Sequence, residues 1–279
     1  MQIENKSILV VGCIRNGEKN IITDLNLIQK AISNFKKKFF LIIESDSIDN
    51  TKNILIDCEK KIENFKSISL GSIRNNFKMR CDRIAHCRNI YVEKINNDEI
   101  YKKVDLILVV DLDGINNLLS QHSIQSCFER DDWDAVFANQ KKAYYDVYAL
   151  RHKYWSPTDC REELNFFDKF RKSRSYNYWH SVYSKMIEIP ENADWIKVNS
   201  AFGGAAIYKK KCFENNFYSG KFDNKEVCEH VSFNENLAKR DLKLYICPKF
   251  INSGFNEHIR KKMSLRYKIK FAIQSLYIK

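Results

Sequence analysis

The 279-residue chain has no apolar run approaching the ~18 uncharged residues that a membrane-crossing helix requires. Proline and glycine are scarce, at 3 and 8 residues. No Pro/Gly/Ser-rich linker and no internal repeat divides the chain, which points to one domain long enough to bury a sizeable core. The N-terminal MQIENKSILVVG enters a strand-like run at once and leaves no room for a secretory signal. A cytoplasmic protein, or one peripheral on the cytoplasmic membrane face, is the expectation. Nine cysteines are scattered (Cys13, Cys58, Cys81, Cys87, Cys127, Cys160, Cys212, Cys228, Cys247) and form no C-x-x-C pair. Zinc and redox motifs of that type are excluded, and mostly buried, reduced thiols are expected.

What is present is ordinary in bulk: 44% hydrophobic and 29% charged residues suit a soluble globular domain. The formal charge of +12 favours an anionic partner such as a nucleotide, an acidic glycan or a lipid surface. Nucleic acid is not expected, because the basic residues are spread along the chain without a nucleic-acid-binding module.

Ser7 to Val11 reads as a buried strand closed by Gly12, and Phe39 to Ile43 as a second. Ile21, Leu25, Ile28, Ile32 and Phe35 recur at helical spacing and predict a helix over 18–35. Asn50-Thr51 is a capping candidate for a helix whose inner face is Leu55, Cys58, Ile62 and Phe65. A helix over 78–95 leads to the strongest strand, Asp105 to Val110. Such alternation predicts an α/β fold, a mainly parallel sheet with helices on both faces. Trp133 to Ala138 and Ala201 to Tyr208 read as further strands. The aromatic- and charge-rich stretch between them, 139–198, reads as an insertion in a single domain spanning 1–260.

Ligands in such sheets sit at the carboxyl ends of the strands. The apolar strand ends in Val109-Val110-Asp111-Leu112-Asp113, and carboxylates at i and i+2 leaving a strand point to one side. Mg²⁺ or Mn²⁺ is commonly held by one or two carboxylates together with substrate phosphates, so Asp111 and Asp113 are candidate metal ligands. Arg15 and Asn16, after the first strand, suit contacts to a diphosphate or a base edge. Glu44 and Asp46, after the second, suit a base or ribose. Both segments are equally good turn sequences. Arg80, Arg83, Arg88 and Asn89 lie on the helix entering the D-x-D strand, with Arg80 and Arg83 read as an ordinary solvated face.

Taken in order, GCIRNGEKN, IIESDSIDNT, CRNIY and VVDLD resemble the donor half of GT-A glycosyltransferases. Phe202-Gly203-Gly204-Ala205-Ala206-Ile207-Tyr208 resembles the glycine-rich strand that faces the donor sugar, Cys228-Glu229-His230-Val231 the acidic acceptor-side motif, and Asn256-Glu257-His258 the C-terminal metal-binding histidine. With Tyr144 to Arg151, the pieces also look like the capsule-associated α-1,3-mannosyltransferases. The resemblance implies a GT-A (Rossmann-like) fold and transfer of a hexose from a UDP- or GDP-linked donor to a glycan or lipid-linked glycan. It implies Asp111, Asp113 and His258 as ligands of Mn²⁺ (or Mg²⁺), with the imidazole favouring Mn²⁺. Arg15, Asn16, Glu44, Asp46, Arg88 and Asp111 would hold the donor nucleotide, and Gly203 and Gly204 would face its sugar. Asp146 and Arg151 would serve the acceptor in the insertion. Where the family motif has Asp after Glu, this chain has His230, which leaves open whether Glu229, His230 or neither is the base.

Asp111-Leu112-Asp113-Gly114 also fits the D-x-D-G of haloacid-dehalogenase-type phosphatases, with Asp111 as nucleophile. That motif normally opens its domain and is followed by Thr or Val, whereas here two strand–helix units precede it and Ile115 follows. A nucleotidyltransferase would need a glycine-rich, lysine-containing N-terminal loop that this chain lacks. Finally, 261–279 carries Lys262, Arg266 and Lys270 on one helical face and Leu265, Ile269, Ala272 and Leu276 on another. A basic amphipathic tail of this kind can lie on an anionic membrane surface.

Overall fold

The structure is a computed structural model that describes residues 3–254, 256–259, 269, 272 and 273. In chain order its strands are β1 (Ser7–Ile14), β2 (Lys37–Glu44), β3 (Phe65–Ser69), β4 (Leu106–Val110), β5 (Ala135–Gln140), β6 (Ile196–Lys197), β7 (Ala205–Lys209), β8 (Lys221–Phe222), β9 (Lys225–Glu226) and β10 (Leu244–Ser253). The α-helices are α1 (Ile21–Ala31), α2 (Thr51–Lys61), α3 (Arg80–Asn97), α4 (Gln121–Ser126), α5 (Cys160–Asp168), α6 (Arg174–Ser181) and α7 (Glu229–Lys239).

Eight strands form one sheet in the order β3-β2-β1-β4-β7-β5-β10-β6. β3, β2, β1 and β4 run parallel, as do β5 and β10, while β7 is antiparallel to both β4 and β5. Alternation along β1 explains the layering: Leu9 and Val11 join a core with Tyr91 and Val92 of α3 and Phe233 of α7. Ile8 and Val10 face the opposite way, toward Leu25 and Ile28 of α1, Leu55 of α2 and Ile124 of α4. Burial on both faces is why β1, β2 and β4 read as unbroken apolar runs. No described helix is long and apolar enough to cross a membrane.

Several expectations shift. The first helix spans Ile21–Ala31, although Ile32 and Phe35 beyond it stay buried. Phe65 belongs to β3, not to the inner face of α2, because α2 ends at Lys61. Asn50 occupies the capping position of α2 without a side-chain capping bond. Asp49 accepts the Thr51 N–H instead, at 3.1 Å. β7 begins at Ala205 because Gly203 and Gly204 adopt left-handed φ values of 72° and 88°, incompatible with a strand.

The 139–198 stretch is folded. It contains α5, α6 and the edge strand β6, and it has its own small core of Val147, Cys160, Tyr183 and Met186 closed by Ile259. The basic tail 261–279 lies outside the described residues, apart from Ile269, Ala272 and Ile273.

Candidate active site

The carboxyl ends of β1, β2 and β4, the first two turns of α3 and the N-terminus of α7 enclose a cleft. It consists of two cavities of about 420 and 190 Å³ that share Arg80, Ile84, Arg88, Asp111 and Asp113 as walls. Arg15, Asn16 and Asp46 line only the larger one. Asp146, Glu229, His230 and His258 line only the smaller. Residues spread over nearly the whole chain are thus brought together at the strand ends.

The larger cavity is built by two tied loops. Asn16 donates its N–H to Ser47 Oγ (3.0 Å), and its Oδ1 accepts the Ile48 N–H (2.9 Å). Asn16 and Asp46 both have positive φ, 52° and 57°, a conformation that Asn and Asp tolerate better than most side chains. Asp46 Oδ1 accepts from the Ile73 and Arg74 N–H groups at 3.0 and 3.1 Å. Desolvation opposes its ionisation, but these bonds win and hold its carboxyl below the usual range. Glu44 lines neither cavity. Fully buried, it accepts from Ser47 N–H (2.9 Å) and Ser69 Oγ and so braces the β2–α2 loop from behind.

Arg88 is the hub between the cavities. It is 3% exposed and reaches Glu229 Oε1 at 3.1 Å through Nε and Asp111 Oδ1 at 3.5 Å through Nη2. Phe202 and Tyr218 flank the guanidinium, with ring centroids 5.4 and 5.6 Å away. Burial pushes Asp111 up to about 7; Arg88 pulls the other way, while Asp113, Asp146 and Glu229 add repulsion. Asp146 is also raised by burial, although its Oδ2 accepts the Gly203 N–H at 3.0 Å. His230 stacks on Phe202 at 3.7 Å, and neither ring nitrogen has a hydrogen-bond partner among the described residues. Burial and the Arg88 charge keep it neutral.

The two glycines form the far wall of the smaller cavity. Gly204 O accepts from the Asp111 N–H (2.9 Å) and from Asn116 Nδ2 (3.1 Å). Gly203 O accepts from Gln140 Nε2 (3.1 Å) and Asn252 Nδ2 (2.7 Å). Asn116, Gln140 and Asn252 make a buried amide network that fixes this turn, and sequence reading missed it. Tyr145, also missed, stacks on His258 with centroids 4.9 Å apart. Arg80 and Arg83 are cavity walls rather than a plain solvated face. Arg151 lines neither cavity: it is buried against Asp159 (2.6 Å) and the Tyr148 and Leu150 carbonyls.

Asp111, Asp113 and His258 share the smaller cavity, but among the described residues no three His, Cys, Asp or Glu side chains converge enough to cage an ion. The donor set nevertheless fits a hard divalent cation that takes its remaining oxygens from a phosphate. The carboxylates outnumber the cationic side chains around Asp111, and an added cation would relieve that repulsion.

No family description matches the sequence, and no curated protein matches it. Solved structures do match in shape. The mannosyltransferase PcManGT from Pyrobaculum calidifontis, in complex with GDP-Man and Mn²⁺, is 10% identical, with 99% of this chain and 65% of that chain covered, at a TM-score of 0.53. S. aureus TarS 1–349 in complex with UDP-GlcNAc is 13% identical over 90% of this chain and 59% of that one, at a TM-score of 0.49. 4-Diphosphocytidyl-2C-methyl-D-erythritol synthase from Anaerococcus prevotii is 12% identical over 99% and 98%, at a TM-score of 0.44. The chain therefore spans less than two thirds of the first two structures. The first likeness shows the fold: a GT-A, Rossmann-like α/β domain with a mostly parallel central sheet. That fold does not favour the phosphatase alternative, and β4, which carries the D-x-D, is the fourth strand rather than the first.

Proposed function

We propose that this chain is a metal-dependent glycosyltransferase that moves a hexose from a UDP- or GDP-linked donor to a hydroxyl of a glycan or lipid-linked glycan. The observation that carries the reading is the joining of two chemistries in one cleft: the Asp111–Asp113 pair with cationic Arg15, Arg80 and Arg83, and, next to it, Glu229 with His230. The mannose-specific, capsule-type resemblance and the cytoplasmic or peripheral location belong to the same reading, as does membrane contact through the basic tail.

In this scheme the larger cavity takes the nucleoside diphosphate, with Arg15, Asn16 and Asp46 orienting it. Asp111 and Asp113, with His258, would hold Mn²⁺ (or Mg²⁺), which supplies charge neutralisation at the departing diphosphate. Gly203 and Gly204 let the sugar approach the backbone closely. Asp146 contacts the acceptor, and Glu229, at the N-terminus of α7, takes the proton of the acceptor hydroxyl. Arg88 fixes Glu229 and Asp111 relative to each other. Arg151 supports the acceptor wall through its bond to Asp159.

The test is turnover of a panel of nucleotide sugars with Mn²⁺, set against simple phosphate esters. Donor hydrolysis or transfer supports the reading, and ester hydrolysis alone refutes it. Glu229→Gln should lower turnover by roughly 10²-fold with little change in donor affinity. Near-normal turnover would transfer the base role to His230.

A further inference from the structure

The floor of the larger cavity holds two thiols. Cys13, near the end of β1, and Cys87, in the second turn of α3, both line it, and their sulfurs are in hydrogen-bond contact. Cys87 also lies 3.4 Å from Ser45 Oγ, and Arg80, Arg83 and Arg88 make the surrounding wall electropositive. All nine cysteines are free thiols. We propose that Cys13 and Cys87 form an oxidation site in the nucleotide cavity, a dithiol that small hydroperoxides convert to an intramolecular disulfide tying β1 to α3.

Reactive thiols are those held as thiolates in electropositive, reachable surroundings. The hydrogen bond from Cys13 is the chief influence that brings Cys87 down to about 7, with Ser45 and Arg88 assisting against desolvation. Desolvation raises Cys13, which therefore keeps its proton and donates. The Cys87 thiolate attacks the peroxide, the O–O bond breaks, and a Cys87 sulfenic acid forms as hydroxide leaves and becomes water. The Cys13 sulfur then attacks the Cys87 sulfur. The S–S bond forms, the sulfenic oxygen departs as a second water, and the Cys13 proton is consumed. Two thiols lose two electrons and the peroxide gains them.

The molecule contains its own control. Cys127 and Cys247 are likewise in sulfur–sulfur hydrogen-bond contact, but both are fully buried and line none of the described cavities. Contact without access should leave that pair reduced.

The experiment treats the full chain with equimolar hydrogen peroxide at neutral pH, alkylates it under denaturing conditions, and maps the cysteine peptides by mass. The expected result is a Cys13–Cys87 linkage forming at least about tenfold faster than any Cys127–Cys247 linkage, and reversal by dithiothreitol. In Cys13→Ser, Cys87 should instead be trapped by dimedone as the sulfenic acid. Equal oxidation of the two pairs, or no dimedone adduct on Cys87, overturns the proposal. GDP or UDP with Mn²⁺ should slow the linkage by occupying the cavity, an arm that rests on the proposed function. If the linkage forms but nucleotide offers no protection, the thiol site stands and the nucleotide assignment fails.

Discussion

Replacing Arg88 by methionine removes the one buried cation between two carboxylates carried by different elements. Glu229 is 5% exposed and receives its 3.1 Å bond from Arg88, and Asp111 stands 3.5 Å from the same guanidinium. Breaking a buried pair from one side leaves an uncompensated charge and costs about 3–5 kcal/mol. For a domain of this size that corresponds to a fall in melting temperature of roughly 6–10 °C. Methionine keeps much of the volume between Phe202 and Tyr218, so the loss reports charge rather than a cavity. The assay is urea denaturation of the wild type, Arg88→Met, Glu229→Gln and the double variant. The double variant should recover most of the loss, because glutamine removes the stranded charge. A loss below about 1 kcal/mol in Arg88→Met, or strict additivity in the double variant, would refute the view that Arg88 joins the cavities.

Gly204→Ala should cost about 1–2 kcal/mol and impair turnover, since its φ is 88° and an added Cβ would meet Tyr145 Oη at 2.9 Å. A variant with normal melting temperature and turnover would count against a tightly fixed sugar-facing turn. Asp24, which accepts the Gly114 N–H at 3.0 Å, is raised to about 6 by burial, with Asp113 adding repulsion. Its folded value lies above the unfolded one, so it costs stability progressively as pH rises from about 4 through 6. In metal-free protein Asp24→Asn should gain about 1 kcal/mol at pH 8 and nothing at pH 3.5, as read by chemical denaturation. An equal change at both pH values would contradict the assignment.

The parts of the fold that could be read from the sequence are those buried on both sides. β1, β2 and β4 are continuous apolar runs, and the helices beside them have clean inner faces. β3 escaped because an edge strand reading Phe65-Lys66-Ser67-Ile68-Ser69 has no such run. Pro248 interrupts the pattern of β10, and the structure absorbs it with a register shift against β5 between Ile246 and Ile251. At the cleft, position after a strand was an effective guide for Arg15, Asn16, Asp46, Asp111 and Asp113. Glu44 and Arg151 are of equally suitable type, but their polar atoms are satisfied by internal partners, which composition cannot reveal. Asn116, Gln140 and Asn252 left no trace at all, because three amides far apart in sequence meet only once the sheet is assembled.

The central claim is that Asp111 and Asp113 bind a nucleotide-sugar diphosphate through a divalent ion. Calorimetric titration of GDP- and UDP-sugars into the wild type and Asp113→Ala, each with Mn²⁺ and with chelator, tests it most directly. The wild type should bind a donor only when Mn²⁺ is present, and Asp113→Ala should lose that binding while unfolding at an unchanged denaturant concentration. Donor binding by Asp113→Ala with the wild-type dependence on Mn²⁺ would contradict the account.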